Sequence, residues 1–238
     1  MEKEDKVYLE GLKNWLNQTK DEPVEKMESF FTKRIDGYEK HMINIWREYY
    51  KCMSNLIPKN TQNILDIGCG TGIELDYIFK KFPSVNVTGI DLTKTMLDEL
   101  EKKHGDKNLK LICGDYFIEP FGIEKYDTVI SFETLHHFKQ EKKVNIFEKI
   151  YKCLKKGGCY IECDYIAKTE EIENLLFLEC ERRKEKDNVG KDVFVHFDTP
   201  LTLEHEINAM KKAGFEKVEL LENFKEENTV IIIARKKN

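Results

Sequence analysis

The stretch Ile64, Leu65, Asp66, Ile67, Gly68, Cys69, Gly70, Thr71, Gly72 narrows the folds open to this chain more than any other. An apolar run of strand length passes straight into a glycine-rich turn, and a helical pattern follows. Glycine takes left-handed backbone angles without strain and leaves room for a ligand to lie against the main chain. A ligand is therefore expected over Gly68 to Gly72, Cys69 included. Dinucleotide-binding turns space their glycines as GxGxxG, so that the helix packs closely and its N-terminus faces a pyrophosphate. Here the spacing is GxGxG and position 73 is Ile, which opposes a nicotinamide-dependent oxidoreductase. The acid ahead of the turn, Asp66, repels phosphate and suits a cationic ligand such as a sulfonium amino acid. A turn with a purely structural role is the competing reading.

Residues before this unit carry three apolar patterns at helical spacing: Val7 to Leu16, Val24 to Phe31, and Met42 to Met53. Pro58, Lys59 and Asn60 break the pattern. The division expected is a helical cap or lid over residues 1–60 and a ligand-binding domain over 61–238. Strands expected at 63–67, 85–90, 109–113, 128–132 and 159–163 alternate with helices at 72–82, at 95–103, and after 140 up to Gly157 and Gly158. An inserted helix at 169–187, a helix at 203–213 begun by Pro200 and Thr202, and an antiparallel pair at 218–221 and 229–234 around a polar turn at 225–228 complete the pattern. Short apolar runs without strict alternation mark strands covered on both faces. The fold class expected is α/β, a doubly wound and mostly parallel sheet.

The strand tips carry the chemistry. Asp91 ends the second strand, where an acid accepts hydrogen bonds from two ribose hydroxyls. Asp115 and Tyr116 follow the third, where a carboxylate can accept from an adenine amino group while a ring lies against the base. The fourth strand runs into Glu133, Thr134, Leu135, His136, His137, Phe138, at the carboxyl edge where open α/β sheets bind ligands.

Taken in order, Asp66 to Gly72, Asp91, Asp115 and Tyr126 to Phe132, closed by Leu154 to Gly158, resemble a class I S-adenosylmethionine-dependent methyltransferase of small-molecule type. The resemblance is close over residues 62–164, reaches to about 235, and is loose over the first 60. It implies a Rossmann-like sheet of seven strands, the last antiparallel, and S-adenosylmethionine as cofactor. It further implies that Gly68 and Gly70 approach the methionine part, Asp91 the ribose, and Asp115 and Tyr116 the adenine. Leu92 and Met96 would flank the adenine, and the backbone around Ser131 and Phe132 would meet the methionine amino group.

A sulfonium methyl is already activated, so the protein's main task is to hold a nucleophile in line with the S–C bond and exclude water. Where the acceptor needs a base, His136 and His137 are the candidates; helix capping and packing are the plainer roles for the pair. Arg34, Tyr38 and His41, around the break at Gly37, and His196, in the aromatic stretch Val193 to Pro200, are candidate substrate residues. No metal site is expected, because adjacent histidines lack the spacing of a helical metal pair.

Composition trims the remaining classes. A net charge of −5 gives no general basic field, so no nucleic-acid partner is expected, and Lys155, Lys156, Arg182, Arg183 and Lys184 read as solvated faces. The seven cysteines form no CxxC pair and read as reduced thiols. No apolar run reaches the roughly 20 residues that span a bilayer, and residues 1–6 lack a signal sequence. A cytoplasmic enzyme with no membrane partner, monomeric or homodimeric, is the expectation. An RNA or protein methyltransferase and a non-catalytic cofactor-binding protein stay open beside it.

Overall fold

The computed structural model describes residues 3–224 and 228–238. Of the polar turn expected at 225–228, residues 225–227 lie outside the described residues. Helices α1 (Lys3–Gln18), α2 (Met27–Lys33) and α3 (Tyr38–Leu56) come first. Then follow β1 (Asn63–Ile67), α4 (Ile73–Lys81), β2 (Asn86–Asp91), α5 (Lys94–His104), β3 (Leu109–Cys113) and β4 (Tyr126–Phe132). The chain continues through α6 (Gln140–Cys153), β5 (Leu154–Tyr165), α7 (Glu170–Lys186), α8 (Leu203–Lys212), β6 (Lys217–Phe224) and β7 (Thr229–Arg235).

The strands form one seven-stranded sheet in the order β3-β2-β1-β4-β5-β7-β6. β1 to β5 run parallel, and β7 lies antiparallel between β5 and β6. This is the doubly wound fold expected. The strand order turns back between β1 and β4, so the loops leaving their carboxyl ends part and open a crevice there.

Alternate residues of each strand face opposite sides. Ile64, Ile130, Ile161, Ile231 and Ile233 meet α3, α4 and α5 on one side. Leu65, Ile67, Val129, Tyr160 and Ile232 meet α6 and α8 on the other. Ile64 and Leu65 are adjacent and both fully buried, which is why the apolar runs do not alternate with polar residues. The first helices divide between two places. Tyr49, Tyr50 and Met53 of α3 belong to the sheet core, whereas Leu9 and Leu16 of α1 pack with Ile172 and Leu176 of α7 in a separate cluster.

Three expectations need correction. α6 ends at Cys153 rather than at Gly157, because Leu154 turns extended and pairs with Tyr126, so that β5 begins there. β6 extends to Phe224 because β7 offers it a full ladder of partners. Arg183 is not a solvated side chain: it is 5% exposed, donates to Thr19 Oγ1 and Leu16 O, and pins α7 to α1. Thr202 does begin α8 as read, its hydroxyl accepting from His205 N.

Lys143 of α6 and Glu206 of α8 form a fully buried ion pair, Nζ to Oε2 2.5 Å, beside the equally buried Glu162. Removing one partner strands the other charge in an apolar layer. Lys143→Met is therefore expected to cost about 3–5 kcal/mol in urea unfolding. A loss below about 1 kcal/mol would show that the pair does not hold the two helices.

Candidate functional site

The turn after β1 is built from the sequence outward. Gly68 N and Cys69 N both donate to Ile90 O, at 2.8 and 3.2 Å, fastening the turn to β2. Gly68 has φ +68°, and a Cβ there would stand 2.3 Å from Thr134 Cγ2. Gly70 has φ +48° with nothing within 4 Å of the Cβ position, so its main chain faces open space. Gly72 caps α4, and Leu100 fills the place its side chain would occupy.

That open space is part of a cavity of about 670 Å³, counted with the part continuous with solvent. Gly68 and Gly70 form its floor, and Asp91, Leu92 and Met96 stand at the tip of β2 and the start of α5. Asp115 and Tyr116, from the end of β3, and Phe132, from β4, close it. Asp91 Oδ2 accepts from Gly70 N at 2.9 Å and Oδ1 from Thr93 N at 2.7 Å, so one carboxylate spans the two loops. Burial raises its pKa, against the pull of those donors. Asp115 Oδ1 accepts from Phe117 N at 2.8 Å.

The remaining expected residues lie elsewhere. Cys69 is buried toward Gly89 and Leu111, away from the cavity. The Ser131 hydroxyl shares a 2.7 Å hydrogen bond with Tyr160 beneath the sheet surface. Asp66 is 1% exposed and sits under the turn with Glu74, and Asp66 Oδ2, Thr71 Oγ1 and Glu74 Oε1 have no hydrogen-bond partner. Burial pushes both carboxyls up, Glu74 to about 7, so negative charge is held in reserve beneath the glycines.

Thr134 and Phe138, in the loop after β4 where ligands were expected, and Phe194, in the aromatic stretch, also line this cavity, together with Met27 and Phe31 of α2, to which sequence reasoning assigns no site role.

A second cavity, about 1010 Å³ with its open part, adjoins the first and shares Phe31, Tyr38, Glu133 and His137 with it. It gathers Arg34, Tyr38, His41, His136, His137 and His196, which arrive from three separate parts of the chain. Arg34 is already committed: Nη2 lies 2.7 Å from Glu25 Oε1, and the guanidinium rests 3.7 Å from the Phe30 ring centre. His196 stacks on that ring's other neighbourhood, 3.4 Å from Phe30 centroid to centroid.

The two adjacent histidines differ in charge. His136 Nδ1 meets Asp164 Oδ1 at 2.5 Å, and Nε2 stands 3.4 Å from Asp198 Oδ1. Burial disfavours its charged form, but Asp164 and Asp198 outweigh that and hold its pKa well above the usual value. His137 donates from Nδ1 to Phe197 O at 3.1 Å, and burial, with the charged His136 beside it, lowers its pKa to about 3. Glu133 has φ +46°, uncommon for a residue with a side chain, and burial next to Asp164 raises its pKa to about 8. Two groups bring metal-type donor atoms within 4.8 Å of one another, His136 with His137 and Asp198, and Glu133 with His136 and Asp164. In both, the Nδ1 atoms of the histidines already hold hydrogen bonds.

The model of a methyltransferase domain matches residues 64–158. A carboxy-S-adenosyl-L-methionine synthase of Campylobacter lari is 25% identical over 212 residues, covering 83% of this chain and 90% of the relative. A malonyl-[acyl-carrier protein] O-methyltransferase of Priestia megaterium is 41% identical over 96 residues, which span 40% of this chain and only 34% of that protein. Among solved structures, an O-methyltransferase family protein from Burkholderia thailandensis superposes with a TM-score of 0.70 at 15% identity, over 90% of this chain and 63% of the other. Human N-acetylserotonin methyltransferase, in complex with S-adenosylmethionine, gives 0.60 at 17% identity over 84% of this chain and 55% of the other.

Because Glu74 keeps its proton to about pH 7 when folded but ionises near 4.5 when unfolded, its burial favours the native state below pH 4.5. That contribution disappears as pH rises through 7, and Asp66 adds in the same direction. Glu74→Gln, which cannot ionise, should flatten the decline by on the order of 1–3 kcal/mol in urea melts across this range. Parallel curves for the two proteins would refute the assignment. Residues 64–158 thus carry the pattern of a methyltransferase domain, set in a sheet with the fold of S-adenosylmethionine-dependent methyltransferases.

Proposed function

We propose that this protein transfers the methyl group of S-adenosylmethionine to a small-molecule acceptor. The observation that carries the reading is Asp91, whose carboxylate faces the first cavity while joining the glycine turn to the tip of β2. The residues present suit a cationic nucleoside. Gly70 offers bare backbone, Asp91, Asp115 and Glu133 bring carboxylates to the wall, and Leu92, Met96 and Tyr116 supply apolar surface for a base.

In this reading Gly68 and Gly70 hold the methionine part, Asp91 the ribose, and Asp115 and Tyr116 the adenine. Cys69, Gly72 and Asp66 act from beneath: Cys69 and Gly72 by packing, Asp66 as a buried carboxyl under the turn. Ser131 acts through the strand that carries Phe132. The bound cofactor supplies an electrophilic methyl group. The protein's own part is to hold the acceptor in the second cavity, with Phe31, Tyr38, Glu133 and His137 at the junction, and to keep water from the reacting atoms. His137 touches both cavities as a neutral ring, and His136, charged and held by Asp164, fixes the loop that presents it. Arg34, Tyr38, His41 and His196 complete the acceptor side.

A cap role for residues 1–60 is supported by Met27 and Phe31 of α2 and Tyr38 of α3, which line the first cavity. No described helix is long and apolar enough to cross a membrane.

S-adenosylmethionine or S-adenosylhomocysteine is expected to raise the melting temperature by mass action on the native state, and NAD is expected to leave it unchanged. Stabilisation by NAD alone would reject the reading. Asp91→Ala should weaken S-adenosylhomocysteine binding in calorimetry by about 1–3 kcal/mol, and an unaltered affinity would remove Asp91 from the site.

A further inference from the structure

The acceptor cavity has a charge pattern that selects among nucleophiles, an inference that rests on the methyltransferase reading. Three carboxylates line it, Asp36, Glu133 and Asp198. Asp198 stays ionised: burial works against its charge, but the charged His136, whose Nε2 stands 3.4 Å from Oδ1, holds its pKa below the usual range. Arg34, the one arginine among the described residues lining it, shares Glu25 with Lys33 and is turned onto Phe30. The charged His136 is matched by Asp164, and burial keeps His137 and His196 from taking protons readily. The remaining wall is aromatic, with Phe30, Phe31, Tyr38 and Trp46. An anionic occupant would face Asp36, Glu133 and Asp198, while Arg34 is already engaged with Glu25. A cationic occupant would find Asp198 and the faces of aromatic rings, both of which attract positive charge.

We propose that the methyl acceptor is an amine, bound as its cation between Asp198 and the aromatic wall, and that Glu133 takes up the proton it must lose. Glu133 is the acid common to both cavities, with 11% of its side chain exposed. One oxygen accepts from Thr229 Oγ1 at 3.1 Å, and the other stands 3.7 Å from His136 Nδ1. Its left-handed backbone angle is what turns it toward the junction and away from the line of β4. The groups facing it are Asp164 of β5, His136 of its own loop, Thr229 of β7 and Asp198 of the segment before α8. Glu133 in its ionised form, whose share grows as pH rises through about 8, takes one proton from the ammonium. The freed nitrogen lone pair then attacks the methyl carbon, an N–C bond forms, and the S–C bond breaks with its electron pair passing to sulfur. The products are a methylated ammonium and a neutral thioether, with the first proton left on Glu133.

The test uses the whole chain saturated with S-adenosylhomocysteine at pH 7.5, titrated in a calorimeter with 2-phenylethylamine, 2-phenylethanol and 3-phenylpropanoate. These probes share a ring and spacer and differ in charge. The amine is expected to bind at least tenfold more tightly than either of the others, and Asp198→Asn to lower its affinity about tenfold while leaving that for S-adenosylhomocysteine unchanged. Equal or tighter binding of the carboxylate, no binding of the amine to the loaded protein, or an amine affinity indifferent to Asp198→Asn would each overturn the proposal. Failure of S-adenosylhomocysteine itself to bind would instead defeat the parent reading, and it is measured first. With labelled S-adenosylmethionine and pooled amines, wild type should yield N-methyl products. Glu133→Gln should lose turnover at least a hundredfold with little change in KM, whereas Glu133→Asp should recover part of it. A change confined to KM would make Glu133 a binding group only.

Discussion

The hydrogen bond from Gly70 N to Asp91 Oδ2 is the contact on which the rest of the first cavity depends. It joins the turn after β1 to the tip of β2, two loops that leave neighbouring parallel strands and would otherwise drift apart. The second oxygen of the same carboxylate holds Thr93 N and so sets the start of α5, which brings Leu92 and Met96 to the wall. Gly68 supports the arrangement from the other side, since any side chain there would displace Thr134 in the loop after β4. Three strand ends are thereby locked to one another before any ligand arrives, and preorganisation of this kind lowers what binding must spend on ordering.

Electrostatics give the site its character. Carboxyl groups lie beside the cavity at Asp91, Asp115 and Glu133, and beneath it at Asp66 and Glu74, yet no lysine or arginine lines it among the described residues. Burying carboxyls without cationic partners works against stability, and the molecule answers by keeping Glu74 and Glu133 protonated well above the usual range. A positively charged ligand would relieve that cost. The second cavity repeats the theme with Asp198, while its arginine is spent on Glu25. A protein of modest overall negative charge thus concentrates that charge where cationic small molecules would bind.

The helices ahead of the sheet explain how such a site can be covered. α3 is part of the central core through Tyr49, Tyr50 and Met53, so it cannot leave without opening the sheet. α2 carries no buried residue and α1 packs mainly with α7, a helix inserted after β5. The covering elements are therefore tied to the core less firmly than the cavity floor, a difference that suits a lid.

Much of this was legible in the sequence, for reasons that can be traced to particular residues. Gly68, Gly70 and Gly72 announce a turn because glycine alone tolerates those angles and that crowding, and the buried runs at 64–67, 128–132 and 159–163 announce parallel strands because both faces are covered. Asp91, Asp115 and Tyr116 follow from their places at strand ends, which local pattern fixes. The end of α6 was misread because Leu154 continues the helical apolar spacing, and only its pairing with Tyr126 makes it a strand residue. The meeting of His136 and His137 with Asp164, Asp198 and His196, and the spending of Arg34 on Glu25, could not be read from spacing, since these residues come from loops whose approach is set by how α2, α7 and α8 pack. Sequence by itself determined the sheet, the glycine turn and the acids at its strand tips, because periodicity and backbone sterics act over a few neighbouring residues. Tertiary structure decided which histidine is charged, which cations are already paired and where the second cavity lies, because electrostatics and burial act through space between segments far apart in the chain.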